Sequence, residues 1–203
     1  MRAAPPDGAL DHELSRRHGL VAGVDEVGRG ALAGPVTVAA VILSPRCRIA
    51  GLDDSKRLSP RTRERLAAEI RAKAVCWAVA HRSPAEIDRL NILEATRSAM
   101  TEAVLALART PGLVVTDAVA LYGLSAPVLA ETHADGRYQC VAAASILAKV
   151  VRDQTMVSLA CEHPGYGWES NKGYPSPAHL AAIRRLGASA QHRRTFSPLR
   201  VLP

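Results

Sequence analysis

Asp25 and Glu26 place two adjacent carboxylates at the end of an apolar run, directly before the glycine-dense segment Gly28-Arg29-Gly30. Successive strand residues point to opposite faces, so both acids can serve one site only where the strand bends or ends. Glycines allow that bend and leave backbone N–H groups open to an oxygen-rich ligand, and Arg29 adds a fork of donors. A third acid, Asp117, closes the short run LVVTD, and a fourth, Asp135, precedes a long apolar segment. Ligands gather at strand ends in open α/β sheets. Acids at the edges of apolar segments, in a chain of net charge +7, suit a carboxylate cage for Mg2+ or Mn2+, ions that prefer oxygen ligands and retained waters. Plainer readings stand beside these: a solvated strand end for Asp25 and Glu26, a turn or cap for Asp117, and a helix N-cap for Asp135.

A basic and aromatic element complements the acids. Lys56 lies in the DDSK loop, within reach of a phosphate. Tyr166, Trp168, Lys172 and Tyr174 interleave rings with charge in GYGWESNKGY, a composition suited to stacking on a base or sugar while neutralising phosphate. The competing reading is a packed C-terminal flap with Trp168 buried. His133, His163, His179 and His192 have no zinc spacing and read as structural or surface residues, one of which could orient a water. The segment GRGALA also fits a loose dinucleotide fingerprint, but that motif needs a helix to begin inside the glycines. Pro35 and the β-branched residues Val36, Thr37, Val38, Val41 and Ile42 call for a strand there instead.

The elements that must position these residues alternate between strand and helix. Residues 20–26 and 35–43 read as a hairpin-like strand pair, and 75–82 and 113–117 as further strands, with a short one near 128–132. Ser59 or Thr62 opens a helix, Ser83-Pro84 caps a helical stretch over 85–109 with one break, a long helix runs from Tyr138, and another covers 177–186. That order predicts an α/β sheet protein. Residues 1–19 are expected to be a flexible arm, 20–161 the catalytic core, and 162–203 an extension packed on it. Of the 203 residues, 48% are hydrophobic and 22% charged, which excludes disorder as the main description. No uncharged apolar run reaches the roughly 20 residues of a spanning helix, and no secretory signal is visible. The four cysteines form no C-x-x-C pair, so a reduced, cytoplasmic setting is expected. The positive charge suits a polyanionic partner.

With these residues in hand, the chain resembles the bacterial ribonuclease HII family, the type 2 ribonucleases H. The likeness spans residues 20–199 and rests on GVDEVGRGALAGPV, DDSKRLS, IDRLNILEATRSAM, VVTD, VAAASILAKVVRD, GYGWESNKGYPSPAH and HRRTFSP, in that order. It implies a ribonuclease H-like mixed sheet flanked by helices, with a C-terminal helical extension. It implies an endonuclease that cuts the RNA strand of RNA–DNA hybrids and cuts 5′ of ribonucleotides embedded in duplex DNA. Two divalent cations, Mn2+ or Mg2+, would assist, and the products would carry 5′-phosphate and 3′-hydroxyl ends. The family's metal-binding acids fall on Asp25, Glu26, Asp117 and Asp135, and its motif sensing the 2′-hydroxyl falls on Gly28, Arg29 and Gly30. The tyrosine that packs on the adjoining deoxyribose falls on Tyr174. A monomer with no membrane association is expected. The alternatives are a junction-resolving nuclease of the same fold and a non-catalytic hybrid-binding module. Two positions depart from the family pattern: Ala118 stands where glycine usually follows the third acid, and His133 where lysine commonly precedes the fourth.

Overall fold

In a computed structural model describing residues 5–201, the apolar runs form β1 (Val21–Val27), β2 (Val36–Ile42), β3 (Cys76–Arg82), β4 (Leu113–Asp117) and β5 (Val128–Glu131). They make one sheet in the order β3-β2-β1-β4-β5. β2 pairs antiparallel with both β1 and β3, while β4 runs parallel to β1 and β5, so the sheet is mixed. The parallel pairing brings the C-terminal ends of β1 and β4 to the same end of the sheet. Their register sets Val24 opposite Thr116, one residue before Asp25 and Asp117.

Both faces of the sheet centre are covered. α2 (Pro60–Lys73) and the 24-residue α5 (Gln139–Glu162) pack Leu66, Ile70, Ala143 and Ile146 against Ala39 and Val41. On the other face, between α3 (Pro84–Leu90) and β4, α4 (Ile92–Leu105) sets Ala99, Met100 and Ala103 against Val24, Val38 and Ala40. Burial on both sides explains why β1 and β2 read as continuous apolar runs rather than alternating ones. Ser59 caps α2 by accepting from Thr62 N–H, and Ser83 forms a capping box with Glu86. The break in the 85–109 stretch falls at Asn91, which caps α4 through Leu93 and Glu94 N–H, and α4 stops at Leu105 rather than Arg109.

The N-terminal region departs from the expected flexible arm. Residues 1–4 lie outside the described residues, but α1 (Ala9–His18) forms, with Leu10 and Leu14 packed against Val21, Tyr138 and Val141. Its Asp11 carboxylate accepts from Gln139 N–H and Cys140 N–H, each at 2.9 Å. That satisfies the N-terminal donors of α5, whose own N-cap, Tyr138, offers no side-chain acceptor. A tertiary contact therefore orders a segment whose composition alone would not hold a helix.

At the other end, α6 (Trp168–Asn171) and α7 (Pro177–Leu186) build a separate apolar cluster with Leu32, Ala33 and Met156. The cysteines are free, and Cys161 is exposed rather than packed in its apolar surroundings. Among the described residues no helix is long and apolar enough to cross a membrane.

Candidate active site

The C-terminal end of β1 and β4 gathers the acids. Asp25 is buried and its Oδ1 accepts from Glu26 N–H at 2.8 Å. The Ser145 hydroxyl on α5 lowers the pKa of the same carboxylate, and its Oγ lies 3.0 Å from Ser55 Oγ. Glu26 Oε1 accepts from the Arg29 guanidinium at 3.2 Å. Asp117 Oδ1 accepts from Ala134 N–H at 3.1 Å, which ties the end of β4 to the one-turn 3-10 segment Ala134–Gly136 carrying Asp135. Asp135 is buried there and is not the cap of α5, a role that Asp11 fills from a distance.

These acids share one electrostatic field. Burial pushes the Asp25 carboxyl well above its usual range, and the charges of Glu26 and Asp117 push it further. Glu26 is raised by burial and by Asp117, against the pull of Arg29. Asp135 is raised by burial, then by Asp117 and Asp54, with the Lys56 ammonium acting the other way. Lys56 thus sits in the field of the acids. Asp54 and Ser145 belong to the site as well and were not singled out from the sequence.

Among the described residues, no three acids, histidines or cysteines stand close enough to chelate an ion as they are. Like charges in a partly dry pocket keep apart, and a +2 ion relieves that repulsion. The donor set fits such an ion. Its oxygens are those that Mg2+ and Mn2+ prefer. Glu26 Oε2 is also a buried acceptor with no hydrogen-bond donor, a costly state that calls for a partner.

The loop after β1 forms the adjoining wall. Gly28 has φ +92°, and a Cβ there would lie 2.1 Å from Arg152 Nε, so only glycine fits. Gly30 differs: it is exposed, and a Cβ would meet nothing within 4 Å. Its value lies in the open space in front of it. Beneath the loop run two fully buried arginines. Arg152 donates to Pro35 O at 2.9 Å, Ala33 O at 3.2 Å and Lys172 O at 3.0 Å. Arg193 donates to Arg29 O at 2.8 Å and twice to Gly34 O, at 3.1 and 3.0 Å. All these side-chain bonds end on main-chain carbonyls. Leu32 N–H also donates to Gly173 O at 2.7 Å, where a Cβ on residue 173 would come 2.4 Å from Ala33 O.

Tyr174 is half-buried, with its ring 5.2 Å from the Arg152 guanidinium and 6.0 Å from Lys149 Nζ. Trp168 Nε1–H donates to His179 Nε2 at 2.9 Å, which leaves His179 Nδ1 to donate to Tyr174 O at 2.9 Å. His192 accepts from Ser189 N–H through Nδ1 at 3.0 Å, and burial pushes its pKa down to about 4, so this pair of rings is neutral.

One expectation from the sequence is corrected here. Tyr166 and Trp168 are not free for stacking: they lie 5.0 Å apart, stacked on each other inside the C-terminal cluster. Lys172 lies apart from the four acids. Its ammonium bonds to Glu169 O, beside a cleft of about 670 Å³ between α2, α5 and α6 that none of the four acids lines. His179 and His192 are framework residues. Ala118 takes φ +57°, the conformation that glycine adopts freely, so the departure at this position leaves the turn in place at a cost in backbone strain.

The sequence profile described as Ribonuclease HII matches residues 22–198. The chain belongs to the ribonuclease HII family. It is similar to "Ribonuclease HII" of Paracoccus denitrificans, at 52% identity over 96% of this chain and 93% of that one. It is also similar to "Ribonuclease HII 2" of Methylibium petroleiphilum, at 53% identity over 98% and 93%. The crystal structure of ribonuclease H2 from Pyrococcus horikoshii superposes with a TM-score of 0.78 at 30% identity, covering 90% of this chain and 96% of that one. As a ribonuclease HII family member the chain is a nuclease, a hydrolase of the ribonuclease H class. Its mixed sheet, flanking helices and helical C-terminal region are the fold that the motifs imply.

Proposed function

We propose that this ribonuclease HII chain cuts the RNA strand of RNA–DNA hybrids and cuts 5′ of ribonucleotides embedded in duplex DNA, leaving 5′-phosphate and 3′-hydroxyl ends. The observation that carries this reading is Glu26 Oε2: a buried acceptor without a donor, among carboxyls whose ionisation burial and mutual repulsion oppose. Asp25, Glu26, Asp117 and Asp135 would hold two divalent cations, Mn2+ or Mg2+. Such ions supply Lewis-acid stabilisation of the charge that builds on the phosphate when water attacks it.

The protein's own part is placement. Ser145 favours the charged form of Asp25, and Arg29 steers one oxygen of Glu26 while leaving the other available. Lys56 attracts the backbone phosphate towards the acids. The Gly28-Arg29-Gly30 turn offers main-chain groups to the 2′-hydroxyl, the group that separates RNA from DNA. Tyr174, propped on Arg152, presents its ring to the neighbouring sugar. Residues 20–161 would serve as the catalytic body and 162–203 as the wall that completes the substrate face. The chain would act as a monomer in the cytoplasm.

The decisive assay is incubation with a duplex carrying one internal ribonucleotide, with Mg2+ or Mn2+, followed by mapping of the break. Scission 5′ of the ribonucleotide, abolished by chelator, is expected; scission independent of the 2′-hydroxyl overturns the reading. Tyr174→Ala should slow this cut about tenfold, the worth of one aromatic–sugar contact. An unchanged rate would remove the role given to that ring.

A further inference from the structure

Arg193 is fully buried and cannot touch a nucleic acid, yet it holds both ends of the loop that the proposed function assigns to ribonucleotide reading. Its Nη1 donates to Arg29 O, while Nε and Nη2 together grip Gly34 O. Its main-chain N–H donates to Leu32 O at 2.8 Å, which fixes the base of the side chain to the same loop. A trans peptide is planar, and its C=O and N–H point in opposite directions. Drawing Arg29 O inward therefore turns the Gly30 N–H outward. Among the described residues that N–H has no hydrogen-bond partner, and it belongs to an exposed residue where an added Cβ would meet nothing within 4 Å.

We propose that Arg193 is a positioning residue: by fixing the Arg29–Gly30 peptide it aims the Gly30 N–H at the 2′-hydroxyl of the substrate. The inference rests on the reading of the 28–30 turn given above and adds the residue that orients it. Geometry makes the guanidinium necessary. Its rigid fork serves two carbonyls at opposite ends of a loop, whereas a lysine ammonium on a flexible stem keeps the charge but not the fork. Burial lowers the Arg193 pKa to about 9, so the group still carries its charge at neutral pH.

The test measures binding by fluorescence anisotropy in a non-cleaving Asp117→Asn background, on two duplexes identical except for one ribonucleotide. Arg193→Lys is expected to cut the preference for the ribonucleotide duplex about tenfold, the loss of one oriented hydrogen bond, and to leave affinity for the all-DNA duplex within about twofold. An undiminished preference in a folded variant overturns the proposal. Equal weakening on both duplexes also overturns it, since that marks a purely structural role. If the background chain itself shows no preference, the function proposed above fails and this inference falls with it. Should Arg193→Lys not fold, the background chain labelled with 15N-glycine gives the answer. The Gly30 amide resonance must shift with the ribonucleotide duplex and not with the DNA duplex, and an unmoved Gly30 resonance refutes the assignment.

Discussion

The acidic end of the central strands and the basic seam beneath the 28–35 loop both hold like charges away from water, and they resolve the problem in opposite ways. Arg152 and Arg193 spend every side-chain hydrogen bond on main-chain carbonyls, so the cations are solvated by the protein itself. The acids are not satisfied in this way. Glu26 Oε2 has no donor, and Asp25, Glu26 and Asp135 all resist ionisation. A like-charge cluster completed by the chain holds shape; one left incomplete is built for something that arrives later. The first should matter mainly for stability and aim, the second mainly for turnover.

The largest effect expected from this contrast is at Asp117. Asp117→Asn should reduce cleavage by roughly a thousandfold or more, since the proposed metal site would lose a ligand. Hybrid binding in a gel shift should stay within a few fold. Full activity in that variant would break the contrast at its acidic half. Next comes Arg152→Ala, which strands three carbonyls and empties a packed site. It should cost about 3 kcal/mol or more of folding stability. For a chain of this length that is roughly 10 °C in melting temperature, measurable by calorimetry.

Asp25→Asn should act in the other direction. The amide keeps an acceptor for Glu26 N–H but removes a charge that burial disfavours, so the metal-free variant should be more stable than wild type by about 1 kcal/mol at pH 7. The sign follows from a folded-state pKa raised above the unfolded value near 4. Below about pH 4 the carboxyl is protonated in both states and the advantage vanishes. It grows as pH rises through the folded-state pKa. Urea titrations of both chains in chelator at pH 4 and pH 7 check this, and adding Mg2+ should stabilise only the wild type. The smallest effect is at Ala118, whose φ of +57° suits glycine. Ala118→Gly should raise stability by about 0.5–1 kcal/mol, with little change in turnover.

The strands, the caps at Ser59 and Ser83, and the acids at strand ends were legible in the sequence, because each is a local pattern of residue types. What the sequence concealed has a common cause. Arg152 lies in VVRD and Arg193 in HRRTF, both within quoted motifs, yet their partners are main-chain carbonyls, which carry no side-chain signature. Asp11 is a helix cap for donors more than a hundred residues away, a contact that no local spacing announces. The rings of GYGWESNKGY were ambiguous for a different reason. Alternating aromatic and charged residues describe equally an open stacking surface and a buried cluster. Only His179 and His192, brought in by α7 and the segment after it, decide that Trp168 is interior while Tyr174 stays half-open.

The docking of α1 onto α5 has a consequence for how the two halves of the task stay in step. Ser145, whose hydroxyl favours the charged form of Asp25, and Arg152, which holds the 28–35 loop and lies under the Tyr174 ring, are two helical turns apart on α5, roughly 10 Å along its axis. A single rod clamped at its origin by Asp11 sets the spacing between the sites proposed to cut and to read. Any slip of that rod would carry both sites along together, so trimming the front of the chain should loosen the scissors and the gauge at once.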